Sequence, residues 1–209
     1  MHIQQVFKSV IWTDLKLDFL KSLDKASNKY IREAKKTKEA KQYIKKFGDF
    51  GRSFHSGTLL NDTDFWDLKR YINQKALEYL NHQGYDMSFY DLFFSELWVQ
   101  EFAKKGGGHH SAHIHWNQHV SGFYFLKCSE KTSHPIFHDP RTGARATKLR
   151  MRDDAKGLWP GTETVNFHPK PGTLLLFPGY MEHEFSVDPG FEPFRFIHFN
   201  IQAIPKVIK

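Results

Sequence analysis

Five of the 13 histidines fall within the 14 residues from Gly106 to His119. Two of them, His113 and His115, are separated by a single residue, Ile114. On a β-strand successive side chains alternate faces, so these two imidazoles point the same way a few ångströms apart. A helix would send positions i and i+2 to different faces. Two neighbouring imidazoles are half of a metal site, and a third ligand has to come from elsewhere in the fold. His183 is the best candidate. It follows the run Pro171-Gly-Thr-Leu-Leu-Leu-Phe-Pro178, whose apolar strand stops at Pro178-Gly179, so the imidazole sits on the next turn. Twelve residues further on, Arg195 enters another apolar run that ends at Ile201. His109, His110 and His119 are expected to be bystanders or groups on the substrate side.

Positioning these groups requires strands, and the second half of the chain supplies them. From residue 88 onward short aromatic and β-branched runs are separated by Gly, Pro, Asn and Asp. Leu92–Phe102, Ser121–Lys127, Thr173–Phe177 and Phe194–Ile201 all read as strands. The first half reads as helical over 12–47 and 63–83. Leu15, Leu17, Phe19, Leu20 and Leu23 give the first helix apolar spacing, and Thr13 or Asp14 can cap it. Asp62-Thr63-Asp64 can cap the second, which carries Phe65, Leu68, Ile72, Ala76, Leu77 and Leu80. Gly48 and Gly51 break the first segment and Gly84 stops the second. Helices followed by closely spaced strands predict an α+β, mainly β, domain with a sandwich or barrel core and the helices packed on one sheet.

The bulk numbers fit one domain over residues 1–209, with 1–87 as mainly helical support and 88–203 as the β core. The chain carries 20 phenylalanines, enough for a sheet-on-sheet core. A single cysteine, Cys128, cannot make an internal disulfide, so no oxidising compartment is implied. There is neither a signal-peptide pattern nor an apolar run long enough to span a bilayer, and a cytoplasmic protein is expected. The net charge of +7 gathers in two stretches, Arg32–Lys46 and Arg141–Lys156. Such charge is compatible with a polyanionic partner. No nucleic-acid-binding motif accompanies it, so the first stretch reads as a solvated helix face and the second as a solvated loop. The oligomeric state is not readable.

Taken together, His113-Ile-His115, Ser121-Gly-Phe-Tyr-Phe-Leu126, Phe137-His-Asp-Pro-Arg141, Pro171 to Pro178, His183 and Phe199-Asn-Ile201 resemble a family of Fe(II)- and 2-oxoglutarate-dependent oxygenases of bacteria and phages. The likeness covers roughly residues 95–203. It implies a double-stranded β-helix of the jelly-roll or cupin-like kind, Fe(II) as the metal and 2-oxoglutarate as co-substrate. It also implies a dioxygenase that hydroxylates a substrate the sequence does not identify. The superfamily usually holds its metal with His-x-Asp or His-x-Glu plus a distal His, leaving positions open for co-substrate and oxygen. This chain has His115 at the acid position. Two ligand sets therefore remain: His113, His115 and His183, or a mixed site completed by Asp139. Arg195 is expected to pair with the distal carboxylate of 2-oxoglutarate, since a guanidinium binds a carboxylate bidentately. Tyr124 is expected to assist through its hydroxyl. A cupin-like three-histidine protein that does not use 2-oxoglutarate and a non-catalytic binding module are the rival readings. Only the first reading needs Arg195 in the pocket.

Overall fold

The computed structural model describes residues 2–4, 6–147 and 149–207. Among the described residues, ten strands and four α-helices follow one another. In order they are β1 (Trp12–Leu15), α1 (Leu20–Lys36), α2 (Lys38–Phe47), β2 (Ser53–His55), α3 (Trp66–His82), β3 (Tyr90–Phe102), β4 (His110–His113), β5 (Val120–Lys127), β6 (Pro135–His138), α4 (Thr142–Ala146), β7 (Thr164–Asn166), β8 (Thr173–Pro178), β9 (His183–Phe185) and β10 (Arg195–Pro205). They build a six-stranded sheet of order β1-β8-β5-β10-β3-β2 and a four-stranded sheet of order β4-β9-β6-β7. Every strand pairing in both sheets is antiparallel. The two sheets face each other as a double-stranded β-helix, the expected fold.

Among the described residues, the two largest hydrophobic clusters lie one on each face of the larger sheet, and a small third one joins Ala40, Phe54 and Ala103. Between the sheets lie Phe102, Phe123, Phe125, Phe137, Phe177, Phe185, Phe194 and Phe196, all nearly or fully buried. Eight of the chain's 20 phenylalanines lie here. On the other face Leu97, Val99, Tyr124, Leu174, Leu176, Ile197 and Phe199 meet Leu23 and Ile31 of α1 and Leu68, Ile72, Ala76 and Tyr79 of α3. Because the central strands are covered on both faces, they read as almost continuous apolar runs rather than strict alternations.

The first helix differs from its expectation. Trp12–Leu15 is an edge strand paired with β8, and the helix starts only at Leu20. The local pattern Trp-Thr-Asp-Leu suits a strand edge as well as a helix start, and the open edge of β8 decides it. Trp12 packs edge-on against Tyr79 of α3, and Asp14 accepts from the Tyr71 hydroxyl instead of capping a helix. The helix also breaks at Thr37, whose ψ of 153° is extended and whose hydroxyl caps the Ala40 N–H. The second helix lies close to where its pattern puts it. A 3-10 turn at Thr63–Phe65, capped by Asp62, leads into α3. A further strand, β2, lies between the two helical segments, in the part expected to be mainly helical support.

Candidate metal centre

His113 ends β4 and sits directly opposite His183 on β9. Two residues on, the His115 backbone N–H donates to the Gly179 carbonyl at 2.9 Å. That contact brings the turn after β8 against the segment after β4. Gly179 is required for it, because a Cβ there would stand 2.3 Å from the Gln118 carbonyl oxygen. Asn117, at φ +59°, turns the chain immediately after this segment. The left-handed conformation is one that asparagine tolerates better than most residues. The three imidazoles converge, with ring centroids 4.5 Å apart for His113–His183 and 5.1 Å for both His113–His115 and His115–His183. One ring nitrogen from each lies within 4.8 Å of the others.

The hydrogen bonds around two of the rings fix which nitrogen is free. His113 Nδ1 faces the Ser111 carbonyl at 2.7 Å and His183 Nδ1 faces the Met181 carbonyl at 3.0 Å. A carbonyl only accepts, so each Nδ1 carries the proton and each Nε2 keeps its lone pair. A backbone carbonyl holding the Nδ1 proton is a usual arrangement for a metal-ligating histidine. The Nε2 atoms of His115 and His183 are buried and without a hydrogen-bond partner among the described residues. Burial drives the His183 pKa down to about 2, opposed by the Met181 carbonyl and assisted by His113 and His115. His115 is lowered to about 3, first by burial and then by His198 and His113. Both rings are therefore neutral at pH 7, the state a metal requires. Phe123, Phe137 and Phe177 pack around His183 and close it from the apolar side.

Asp139, the alternative ligand, does not join the cluster. Its carboxylate accepts from the Arg141 backbone N–H at 2.9 Å and from the Arg141 guanidinium at 2.6–3.1 Å. The sequence Asp-Pro-Arg makes a turn in which the aspartate serves its own neighbour. Among the described residues, the ligand groupings are His113/His115/His183 and Glu96/His115/His198, neither of which contains Asp139. Asp139→Ala is accordingly expected to keep full metal stoichiometry and His115→Ala to lose tight binding. Metal content after gel filtration checks both; the reverse pattern would put Asp139 among the ligands.

The two co-substrate assignments also need correction. Arg195 lies on the helix-facing side of β10, opposite His198. Its guanidinium is engaged by Glu101, by Asp24 at 2.9 Å and by Asn28 at 2.9 Å. A bulge between Arg195 and Phe196 shifts the pairing with β5, and Phe196 faces the inter-sheet core next to it. Tyr124 shares the helix-facing side and donates its hydroxyl to the Lys16 carbonyl. The side chains that do face the triad from β3 and β10 are Glu96, Trp98, Gln100, Phe196, His198 and Asn200, each set opposite a partner across the ladder. Sequence reasoning did not single out Glu96, Trp98, Gln100, His198 or Asn200 as site residues. The available signal was polar residues alternating within apolar strands, as in Phe-Ile-His-Phe-Asn. His110 also joins the region, 6.0 Å from His113 and 2.6 Å from the Gln100 amide nitrogen. By contrast His109 turns to the Gly107 carbonyl and His119 accepts from the Ala203 N–H.

The basic stretch from Arg141 to Lys156 spends much of its charge locally. Arg141 pairs with Asp139, Arg145 with Glu182, Arg150 with Asp153 and Arg152 with Asp154. Lys148 lies outside the described residues. Among the described residues no helix is long and apolar enough to cross a membrane.

A β-helix whose smaller sheet, with the segment that follows β4, brings three histidines together defines a class, the non-haem metalloproteins of the cupin and oxygenase type. Residues 96–199 match the family described as "Putative 2OG-Fe(II) oxygenase", and the chain belongs to that family. Its cofactors are accordingly Fe(II) and 2-oxoglutarate, and its partners are that small-molecule co-substrate and a substrate. No curated protein matches the chain by sequence. Solved structures share the fold at low identity. A Pseudomonas putida prolyl-4-hydroxylase has a TM-score of 0.58 and 10% identity, covering 93% of this chain and 92% of its own. The viral collagen prolyl hydroxylase of Paramecium Bursaria Chlorella virus-1, in complex with 2-oxoglutarate, has 0.55 and 12%, covering 93% and 96%. HygX from Streptomyces hygroscopicus, with nickel and 2-oxoglutarate bound, has 0.57 and 10%, covering 93% and 83%.

Proposed function

We propose that this oxygenase hydroxylates its substrate with Fe(II) held by His113, His115 and His183, and that residues 1–209 act as one domain with the helices as support. The observation that carries the ligand assignment is the convergence of the three rings, two of them with a buried, unpartnered Nε2. When bound, Fe(II) and 2-oxoglutarate supply the oxidation: 2-oxoglutarate and O2 become succinate and CO2, and one oxygen atom enters a substrate C–H bond. The chain's own residues hold, orient and shield. Ser111 and Met181 carbonyls set the tautomers of two ligands. Asn200, fixed by Ser121 and Glu96, braces the third at 3.1 Å. Three neutral imidazoles leave a divalent ion its full charge, which favours an anionic chelator such as a 2-oxo acid. The cytoplasm is the proposed compartment, since the one cysteine is buried and offers no internal disulfide.

One observation favours the rival cupin-like reading. Arg195 is committed to the other side of the sheet, so a distal carboxylate entering the pocket does not meet it. A thermal-shift and calorimetry experiment separates the two. 2-Oxoglutarate is expected to raise the melting temperature only when Fe(II) or Mn(II) is present and to bind the metal-loaded protein at one site. No binding to metal-loaded protein would hand the function to a three-histidine dioxygenase that acts directly on its substrate.

A further inference from the structure

Beside the triad stands a second set of donors. Glu96 on β3, His198 on β10 and His115 each place one ligand atom within 4.8 Å of the others. His198 is 1% exposed, and neither of its ring nitrogens has a hydrogen-bond partner among the described residues. Its Nε2 is 3.7 Å from a Glu96 carboxylate oxygen, too far for a hydrogen bond. A buried imidazole with both nitrogens idle is costly unless something takes up a lone pair. The ring is also held in place, with Trp98 at 4.5 Å on one side and His115 stacked at 4.8 Å on another. Glu96 is half-exposed, so a cation can reach its carboxylate from solvent. Asn200 donates to that carboxylate at 2.8 Å and keeps it aimed inward.

We propose that Glu96, His115 and His198 form a second divalent-cation seat that shares His115 with the triad. The inference rests on His115 being a ligand, as the reading above also requires. Asn200 Nδ2 lies 3.1 Å from His115 Nδ1, so Nε2 is the free donor of that ring. A single nitrogen binds a single ion, and the two seats are therefore alternatives for one cation rather than a dinuclear centre. They differ in chemistry. The triad offers three neutral imidazoles. The second seat offers two imidazoles and a carboxylate, the donor set of the two-histidine-one-carboxylate facial triad. Carboxylate suits Mn(II), while an imidazole-rich site suits Zn(II), Ni(II) or Cu(II). The carboxylate missing from the His113/His115/His183 set is thus present on the other sheet, within reach of His115.

The test is Co(II) titration, read by chelator competition and by the visible spectrum of the bound ion, on wild type, Glu96→Gln, His183→Ala and the double variant. Glu96→Gln alone is expected to bind one Co(II) within about threefold of wild type, because the triad is intact, Ser121 still holds Asn200 and the glutamine oxygen can still accept from the Asn200 amide. His183→Ala is expected to bind one Co(II) more weakly, with an altered spectrum. Adding Glu96→Gln to His183→Ala should weaken binding further by about tenfold or more and erase those bands, the coupling expected when one position substitutes for the other. His198→Gln in the same background should act like Glu96→Gln. If neither substitution has an effect in the His183→Ala background, the second seat does not exist and the triad stands. If Glu96→Gln alone abolishes binding while His183→Ala binds as wild type does, the ion uses only the second set. Both the two-seat proposal and the three-histidine reading then fail.

Discussion

His183→Ala is expected to lower Fe(II) affinity by more than about 100-fold, since losing an outer-shell partner alone costs about 10–100-fold and this removes a ligand. The effect should be large for a physical reason. His183 is the fully buried member of the triad, and its Nε2 faces the site with no other partner among the described residues. Its Nδ1 is already committed to the Met181 carbonyl, so the ring loses little freedom when it binds. Anaerobic competition against a chromophoric chelator measures the loss, with Mn(II) as an air-stable surrogate and circular dichroism as the check on folding. The substitution also deletes a buried unsatisfied nitrogen, so the metal-free variant should not be strongly destabilised. Wild-type affinity in this variant would remove His183 from the site.

Arg195→Ala should act on the fold. Arg195 is 4% exposed, and its guanidinium lies between Glu101 and Asp24, tying β10 and β3 to α1. Removing it leaves the buried Glu101 with Lys35 as its remaining cation. Truncating one member of a buried ion pair costs about 3–5 kcal/mol, and Lys35 places this case near the low end, about 3 kcal/mol. For a chain of this size that is a fall of about 6–12 °C in melting temperature. Metal affinity should stay within about threefold, because no triad residue touches Arg195. Arg195→Lys keeps one charge but not the fork that reaches Glu101, Asp24 and Asn28 together, and should fall between. The pH dependence has a definite sign. Burial alone would raise the Glu101 pKa, yet Lys35 and Arg195 outweigh it and hold the carboxyl below its usual value. A lowered carboxyl pKa contributes stability above the unfolded value, which is lost as the pH falls through the folded one. The wild-type advantage over Arg195→Ala should therefore shrink in acid. Unchanged stability together with a selective loss of 2-oxoglutarate binding would return Arg195 to the pocket.

The fold was largely legible because its signals are local. Trp66–His82 is announced by Asp62 and a helical apolar stripe, and β3, β5, β8 and β10 by aromatic runs between turn residues. The edge strand Trp12–Leu15 was not, because four residues of mixed character take their structure from the neighbour that needs pairing. The helix break at Thr37 was hidden for a similar reason, since lysine-rich sequence on either side favours helix equally.

For the site, the sequence paired His113 with His115 by their one-residue spacing, although β4 ends at His113 and His115 follows it outside the strand, and it pointed to His183 through the Pro-Gly turn that precedes it. It could not determine which face of β5 and β10 looks inward. Those strands are buried on both sides, so hydrophobic pattern carries no sign, and a shift of one residue would exchange the two faces. Tertiary structure alone decided that Arg195 and Tyr124 face the helices, that Asp139 serves Arg141, and that Glu96, His198 and Asn200 stand beside His115. Those last three come from strands far apart in sequence, and only the pairing of β3 with β10 brings their side chains onto one face.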